Sequence, residues 1–225
     1  MSTIAPLRSD SSLASLAASR AGASRVFHRH GLDFCCRGRL SLGEACAKSA
    51  LDSQAILDEI AAEEPRTTGF ERWDEKPLPA LIDHILARYH EGHRREVPRL
   101  IAMAQKVEEV HADHSAVPRG LAAHLRRMSD ELESHMGKEE GILFPMIRSG
   151  RGNFAMGPVQ VMELEHLDHA ANLERMQVLA NGCTPPPDAC ATWKALYLGL
   201  AELQREIMDH IHLENHALFP RALQS

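Results

Sequence analysis

Residues 131–145 read ELESHMGKEEGILFP, and residues 206–220 read EIMDHIHLENHALFP. Both are Glu-x3-His-x3-Glu-x4-Phe-Pro, although the positions between these landmarks differ. In an α-helix, residues four apart are neighbours on one face. Glu131, His135 and Glu139 therefore form one stripe, and Glu206, His210 and Glu214 form another. A His and a Glu one turn apart can each give a ligand atom to the same metal site. Carboxylates can also bridge two metals, which a lone imidazole cannot do. Helix bundles build carboxylate and histidine di-iron sites from inward-projecting residues of this kind. A single ladder is explained equally well as a solvated charged stripe, since Glu is common on helices. Two matched copies, each closing on Phe-Pro, point to a two-metal centre.

The regions around the ladders are helical by pattern. Four segments with apolar periodicity are expected near 78–113, 118–148, 158–181 and 189–222, and no strand pattern competes. Pro118 and Pro158 suit first turns, where a missing N–H costs nothing. Gly150 and Gly152 follow the second segment, and Asn181-Gly182 supplies a left-handed cap to the third. The TPPP run forbids continuation, Asp188 is a candidate N-cap for the fourth segment, and Pro98 is expected to kink the first. Four helices with short connections predict an all-α, up-down-up-down four-helix bundle over 78–225. Ahead of it, residues 1–65 hold short amphipathic pieces, with a capping box at Ser41 and Glu44 and an N-cap at Asp52. The stretch EEPRTTGFERWDEKPLP, rich in charge and Pro, places a linker at 66–77.

If the site lies between all four helices, the first and third must contribute. Each carries a His-x2-His, at His90 and His93 and at His166 and His169. The bundle then reads as two copies of one helix pair, each giving His…His-x3-Glu. Depth supports His90, His135, Glu139 and His166, which lie comparably far from their connecting turns at about 1.5 Å per residue. His210 fits less well, roughly 9 Å deeper than His166 on the same scale. His111 lies far along the first helix and is excluded. His93 and His169 are reserves one turn away. His84, His114, His124, His212 and His216 are expected to be exposed or capping. Structural zinc favours four ligands with thiolates common, whereas six nitrogen and oxygen ligands with bridging carboxylates favour iron or manganese.

Composition bounds the rest. The 225-residue chain is 44% hydrophobic and 25% charged with net charge −6, so no electrostatic footprint for nucleic acid is visible. Without a signal-peptide pattern or a membrane-length apolar run, a cytoplasmic location is expected. Reduced thiols follow from that location, so the five cysteines do not suggest a disulfide framework.

The segments RYHEGHR, SHMGKEEGILFPMI, VMELEHLDH and DHIHLENHALFPRAL closely resemble the iron-sulfur cluster repair di-iron family, whose bundle is hemerythrin-like. The stretch RVFHRHGLDFCCRGRLSLGEAC is similar to the small domain that this family carries in front of the bundle. The resemblance implies a non-haem di-iron protein that helps restore iron–sulfur clusters damaged by nitric oxide or oxidants. It carries the ligand role onto His90, His135, Glu139, His166, His210 and Glu214. Two irons are implied, bridged by Glu139, Glu214 and an oxo or hydroxo group. Damaged or apo iron–sulfur proteins are the implied partners, with nitric oxide or oxygen as small ligands and a homodimer as a possible assembly.

The Cys35–Cys36 pair is a poor disulfide, since adjacent Cα atoms are about 3.8 Å apart. Arg37, Arg39 and His30 nearby are expected to lower a thiol pKa. From the resemblance, the pair takes a redox or iron-transfer role. Cys183 and Cys190 flank the TPPP loop and are read as incidental. Three functions compete: iron donation for cluster repair, a nitric oxide-reducing enzyme or diatomic-gas carrier, and an iron-dependent sensor without turnover. Glu131, Glu206 and Glu165 add carboxylates around the metals, which suits tuning of the ligands or a cation exit path and favours donation or redox chemistry over reversible oxygen storage.

Overall fold

The computed structural model describes residues 7–225; residues 1–6 of the expected N-terminal region lie outside them. Among the described residues there are eight helices and no β-strand. Four are short: α1 (Leu13–Ser19), α2 (Ala23–Arg29), α3 (Leu42–Lys48) and α4 (Ser53–Glu63). Four are long and occupy the segments expected to be helical: α5 (78–110), α6 (121–148), α7 (Met156–Leu179) and α8 (191–222).

Two compact units result. One holds Met1–Ile82 with Met208–Ser225, and the other Asp83–Ile207. Their border thus runs through α5 and through α8. The reason is local packing at the chain's end. Met208 lies against the core made by Leu13, Leu16, Val26, Phe27, Leu32, Phe34, Leu42, Ile56 and Ile60. Arg221 donates to the carbonyls of Trp73 and Lys76. The caps read from sequence hold here. Ser41 and Glu44 form a reciprocal capping box, and the Asp52 carboxylate accepts from the Gln54 N–H at 2.9 Å.

In the second unit each long helix turns one apolar stripe inward. On α6 it runs Leu121, Leu125, Met128, Leu132, His135, Met136 and Glu139, all buried. On α7 it runs Val159, Met162, His166, His169, Leu173 and Met176. Apart from the adjacent His135 and Met136 these are steps of three and four, so the titratable residues occupy core positions of their helices. Trp193 and Tyr197 on α8 meet edge-on at 6.2 Å and are both buried.

Several local expectations change. Helix α6 begins at Leu121, so Pro118 lies in the turn before it, where its carbonyl accepts from the Leu121 N–H. Helix α8 begins at Ala191, and Asp188 does not cap it; its carboxylate instead meets His114 Nε2 at 3.2 Å. Asn181 and Gly182 do take left-handed conformations after α7, with φ of 49° and 62°. No helix of the described residues is long and apolar enough to cross a membrane.

Candidate metal centre

Three of the long helices widen into a π turn at a ladder or partner residue. In α5 it spans Ile85–His90, in α6 Glu139–Leu143 and in α8 Glu214–Leu218. The Phe144 N–H reaches back to the Glu139 carbonyl, and the Phe219 N–H to that of Glu214. The repeated Phe-Pro accounts for both. Proline has no N–H for the i−4 carbonyl, so the helix restarts with Pro145 or Pro220 in its first turn. Single π turns inside α-helices are frequent at functional sites.

In the Asp83–Ile207 unit, the structure gathers His90, His135, Glu139 and His166. All four are fully buried or nearly so. Glu139 Oε2 lies 3.3 Å from His90 Nε2 and 3.5 Å from His135 Nε2. His135 Nε2 lies 3.2 Å from His166 Nε2. The ligand atoms of His135, Glu139 and His166 are all within 4.8 Å of one another. In the other unit His210 Nε2 lies 3.0 Å from Glu214 Oε1, both buried.

The outer nitrogens explain what the inner ones can do. His90 Nδ1 meets Glu140 Oε1 at 2.7 Å, and His135 Nδ1 meets Glu165 Oε2 at 3.0 Å. A carboxylate partner assigns the proton to Nδ1, leaving Nε2 with its lone pair. Two such lone pairs then face one buried carboxylate oxygen, an arrangement of acceptors that a cation between them satisfies. The donor set is imidazole nitrogen and carboxylate oxygen with no thiolate, which fits iron or manganese. Carboxylates that orient ligating histidines in this way recur at metal sites.

Glu140 was not singled out from the sequence, and no helical-spacing rule would have found it, because its partner is on another helix. Burial alone would raise its pKa, but hydrogen bonds from Arg94 and His90 outweigh that and hold it below the usual carboxylate value. Arg94 also grips Glu133. Glu165 is joined to Lys138 as well as to His135. It lines an acidic groove of about 450 Å³ with Asp130, Glu131, Lys138, Asp168 and His169.

The remaining histidines divide differently from expectation. His93 and His169 are buried but stand outside the gathered set; the His169 ring packs edge-on to His135 at 4.9 Å. His124 is buried and pairs with the Asn172 carbonyl at 2.9 Å, so it is neither exposed nor capping. His212 is buried too, and burial together with neighbouring His216 pulls its pKa down to about 4 against the opposing pull of Asp209. His111 sits by Trp193 and meets Cys190 Sγ at 3.2 Å. Glu131 meets Asn172, Glu206 meets Arg88, and Glu165 touches the ligand histidine His135.

The thiols also correct an expectation. Cys35 is 2% exposed, and its pKa is raised well above the ordinary value by the Cys36 hydrogen bond, by burial and by Asp33. The nearby basic residues do not prevail, because the Cys36 hydrogen bond and burial dominate and Asp33 adds to them. Cys35 Sγ lies 3.3 Å from Asp33 Oδ1.

Comparison with known proteins agrees with this geometry. Residues 81–222 match the Hemerythrin HHE cation binding domain, and residues 9–64 match a Domain of Unknown function (DUF542). The chain is 50% identical over 216 residues to the "Iron-sulfur cluster repair protein YtfE" of Citrobacter koseri, covering 95% of this chain and 97% of that one. Proteins of the same name from Shigella boydii and Escherichia coli are each 49% identical over the same coverage.

Proposed function

The chain belongs to the hemerythrin-like iron-sulfur cluster repair family, and we propose that it restores clusters damaged by nitrosative or oxidative stress by donating iron. His90, His135, Glu139, His166, His210 and Glu214 would hold two iron ions, with imidazole nitrogens and carboxylate oxygens as the ligand atoms. The convergence of His90 and His135 on Glu139, with their far nitrogens held by Glu140 and Glu165, carries this reading. The sequence repeat supports extending it to the second ladder. So does the uninterrupted run of α8, whose buried face steps from Ile207 to His210 and Glu214.

The bound metal would supply exchangeable iron; the chain holds and releases it. Glu140 and Glu165 keep the imidazoles neutral at the inner nitrogen and fix their rings. Arg94 and Lys138 neutralise those carboxylates from outside. The acidic groove beside Glu165 offers oxygen ligands along a path outward, which suits a departing cation. The partners are iron–sulfur proteins with damaged or missing clusters.

One observation favours a second reading, nitric oxide reduction or gas sensing. Val97, Leu125, Met128, Leu132, Leu203 and Ile207 line a small apolar chamber that reaches His169, next to His135. Such a chamber suits a diatomic gas. The deciding experiment mixes iron-loaded protein with an apo iron–sulfur protein and follows cluster assembly and nitrous oxide together. Cluster assembly at the expense of bound iron is expected. Nitrous oxide without cluster assembly would replace donation with the second reading.

A further inference from the structure

The strongest cluster outside the bundle is the turn carrying Asp33, Cys35 and Cys36. These three offer one carboxylate oxygen and two sulfurs, all within 4.8 Å of one another. The sulfurs are 3.7 Å apart, far beyond a disulfide bond. Two sulfurs at about 2.3 Å from one tetrahedral cation stand about 3.8 Å apart, and a sulfur and an oxygen about 3.5 Å. The observed separations are 3.7 Å for Sγ to Sγ and 3.3 Å for Cys35 Sγ to Asp33 Oδ1. Two of the three donor pairs therefore already stand at nearly the spacing a single tetrahedral ion demands, and the third lies within 4.8 Å.

The turn is also held in place. Phe34 is fully buried, its ring 5.9 Å from that of Phe27, 5.2 Å from His28 and 5.3 Å from His212. The Cys35 carbonyl accepts from Asn215 Nδ2 at 3.1 Å and from His216 Nε2 at 2.9 Å. The Cys36 N–H donates to Asp33 Oδ1 at 2.8 Å. At Gly38 a Cβ would come within 2.3 Å of the Phe34 carbonyl, so the return of the turn tolerates no side chain. The Gly38 carbonyl is tied to the Ala14 N–H. A site whose donors are fixed before the ion arrives loses little conformational freedom on binding.

We propose that Asp33, Cys35 and Cys36 form a second metal site, which takes one thiolate-favouring divalent transition cation in tetrahedral geometry. Cys35 supplies the buried ligand and Cys36 and Asp33 the half-exposed ones, leaving the fourth position open to solvent. An open position distinguishes sites that exchange from closed structural ones. Cation binding deprotonates a coordinating thiol outright, so the raised pKa of Cys35 makes binding tighter at higher pH without forbidding it. This site stands on the N-terminal turn alone and does not depend on the six-ligand centre.

The test titrates Co(II) into full-length, iron-loaded, reduced protein under anaerobic conditions. Thiolate-to-cobalt charge transfer reports sulfur ligation, which the histidine and carboxylate bundle cannot give. One equivalent of Co(II) with this absorption and tetrahedral visible bands is expected. Cys36→Ser, at a half-buried position, should lose the charge-transfer signal or shift it to a single-thiolate form. Asp33→Asn, which keeps an acceptor for the Cys36 N–H, should weaken binding by about tenfold or more. Cys190→Ser should change nothing. Helix content and iron content of each variant establish that it is folded. Absence of the charge-transfer band in the wild type overturns the proposal, as does its persistence in a Cys35→Ser, Cys36→Ser double variant. Unchanged affinity in Asp33→Asn overturns the three-ligand site.

Discussion

The two ladders, 131–147 and 206–222, are one structural idea on helices with different outer neighbours. Their inward positions repeat. His135 and His210, Glu139 and Glu214, Leu143 and Leu218, and Phe144 and Phe219 are all buried, and a π turn begins at each closing Glu. Their outward positions diverge. Gly137 and Gly141 are exposed, whereas their counterparts His212 and His216 meet Phe34 and the Cys35 carbonyl. Glu133 and Glu140 bind Arg94, whereas Met208 and Asn215 pack on the N-terminal core and bond to Cys35. Ile142 is 55% exposed and Ala217 only 1%. The comparison separates two demands on a helix. The repeated imidazole and carboxylate positions set the inner face, and whatever covers the outer face dictates the rest.

Breaking the inner equivalence should have the largest effect. Glu139→Ala and Glu214→Ala should each remove at least one of two irons per chain, by metal analysis of purified protein. Retention of full iron in either variant would sink the proposal that the copies are equivalent ligand sets.

The next effect tests the outer face of the second copy. Phe34→Ala empties the space between Phe27, His28 and His212, and should destabilise the N-terminal unit by about 3–5 kcal/mol. Denaturant unfolding read by a probe in that unit measures it. A loss below 1 kcal/mol would mean that the aromatic contact does not organise this unit.

A smaller effect sharpens the contrast between Glu140 and its counterpart Asn215. Glu140→Gln should lower iron affinity by about 10–100-fold, because it weakens the hold on His90 Nδ1. Asn215→Ala should leave iron affinity unchanged and cost about 0.5–1.5 kcal/mol of stability through the lost bond to the Cys35 carbonyl. Chelator competition and thermal unfolding on both variants distinguish the roles. Equal iron affinities for the two would erase the difference.

The smallest effect concerns acid. Glu59 is held below its ordinary value of 4.5 by the hydrogen bond from His30, against burial, with Arg29 assisting. A depressed carboxylate pKa gives stability that is complete above the unfolded value and is lost as pH falls through the folded one. The N-terminal unit should therefore lose stability as pH drops below about 4.5, with a shallower slope in Glu59→Gln. Identical slopes in wild type and variant would show that this cluster contributes nothing to acid sensitivity.

The sequence carried much of this because the deciding signals are local. Spacing of three and four residues along one helix makes a face, so the ladder stripes, the capping box at Ser41 and the cap at Asp52 were readable in advance. The π turns at Glu139 and Glu214 precede Phe-Pro, whose proline cannot complete the preceding turn, whereas the one at Ile85–His90 carries no such mark. What escaped was set by partners distant in the chain. Glu140 and Glu165 matter because other helices present His90 and His135 to them. His124 and His212 are buried because Asn172 and Phe34 meet them, although nothing in their own segments says so.

The sequence by itself determined the all-α architecture, the repeated ladder and the imidazole and carboxylate character of the candidate ligands, because helical periodicity converts spacing directly into a shared face. Only the tertiary structure decided which histidine nitrogen carries its proton and which carboxylates orient the rings. It also decided that Cys35 is a buried, high-pKa thiol beside Asp33 instead of one activated by neighbouring arginines. Protonation depends on burial and on charges a few ångströms away, and those distances are set by packing, which sequence proximity does not encode.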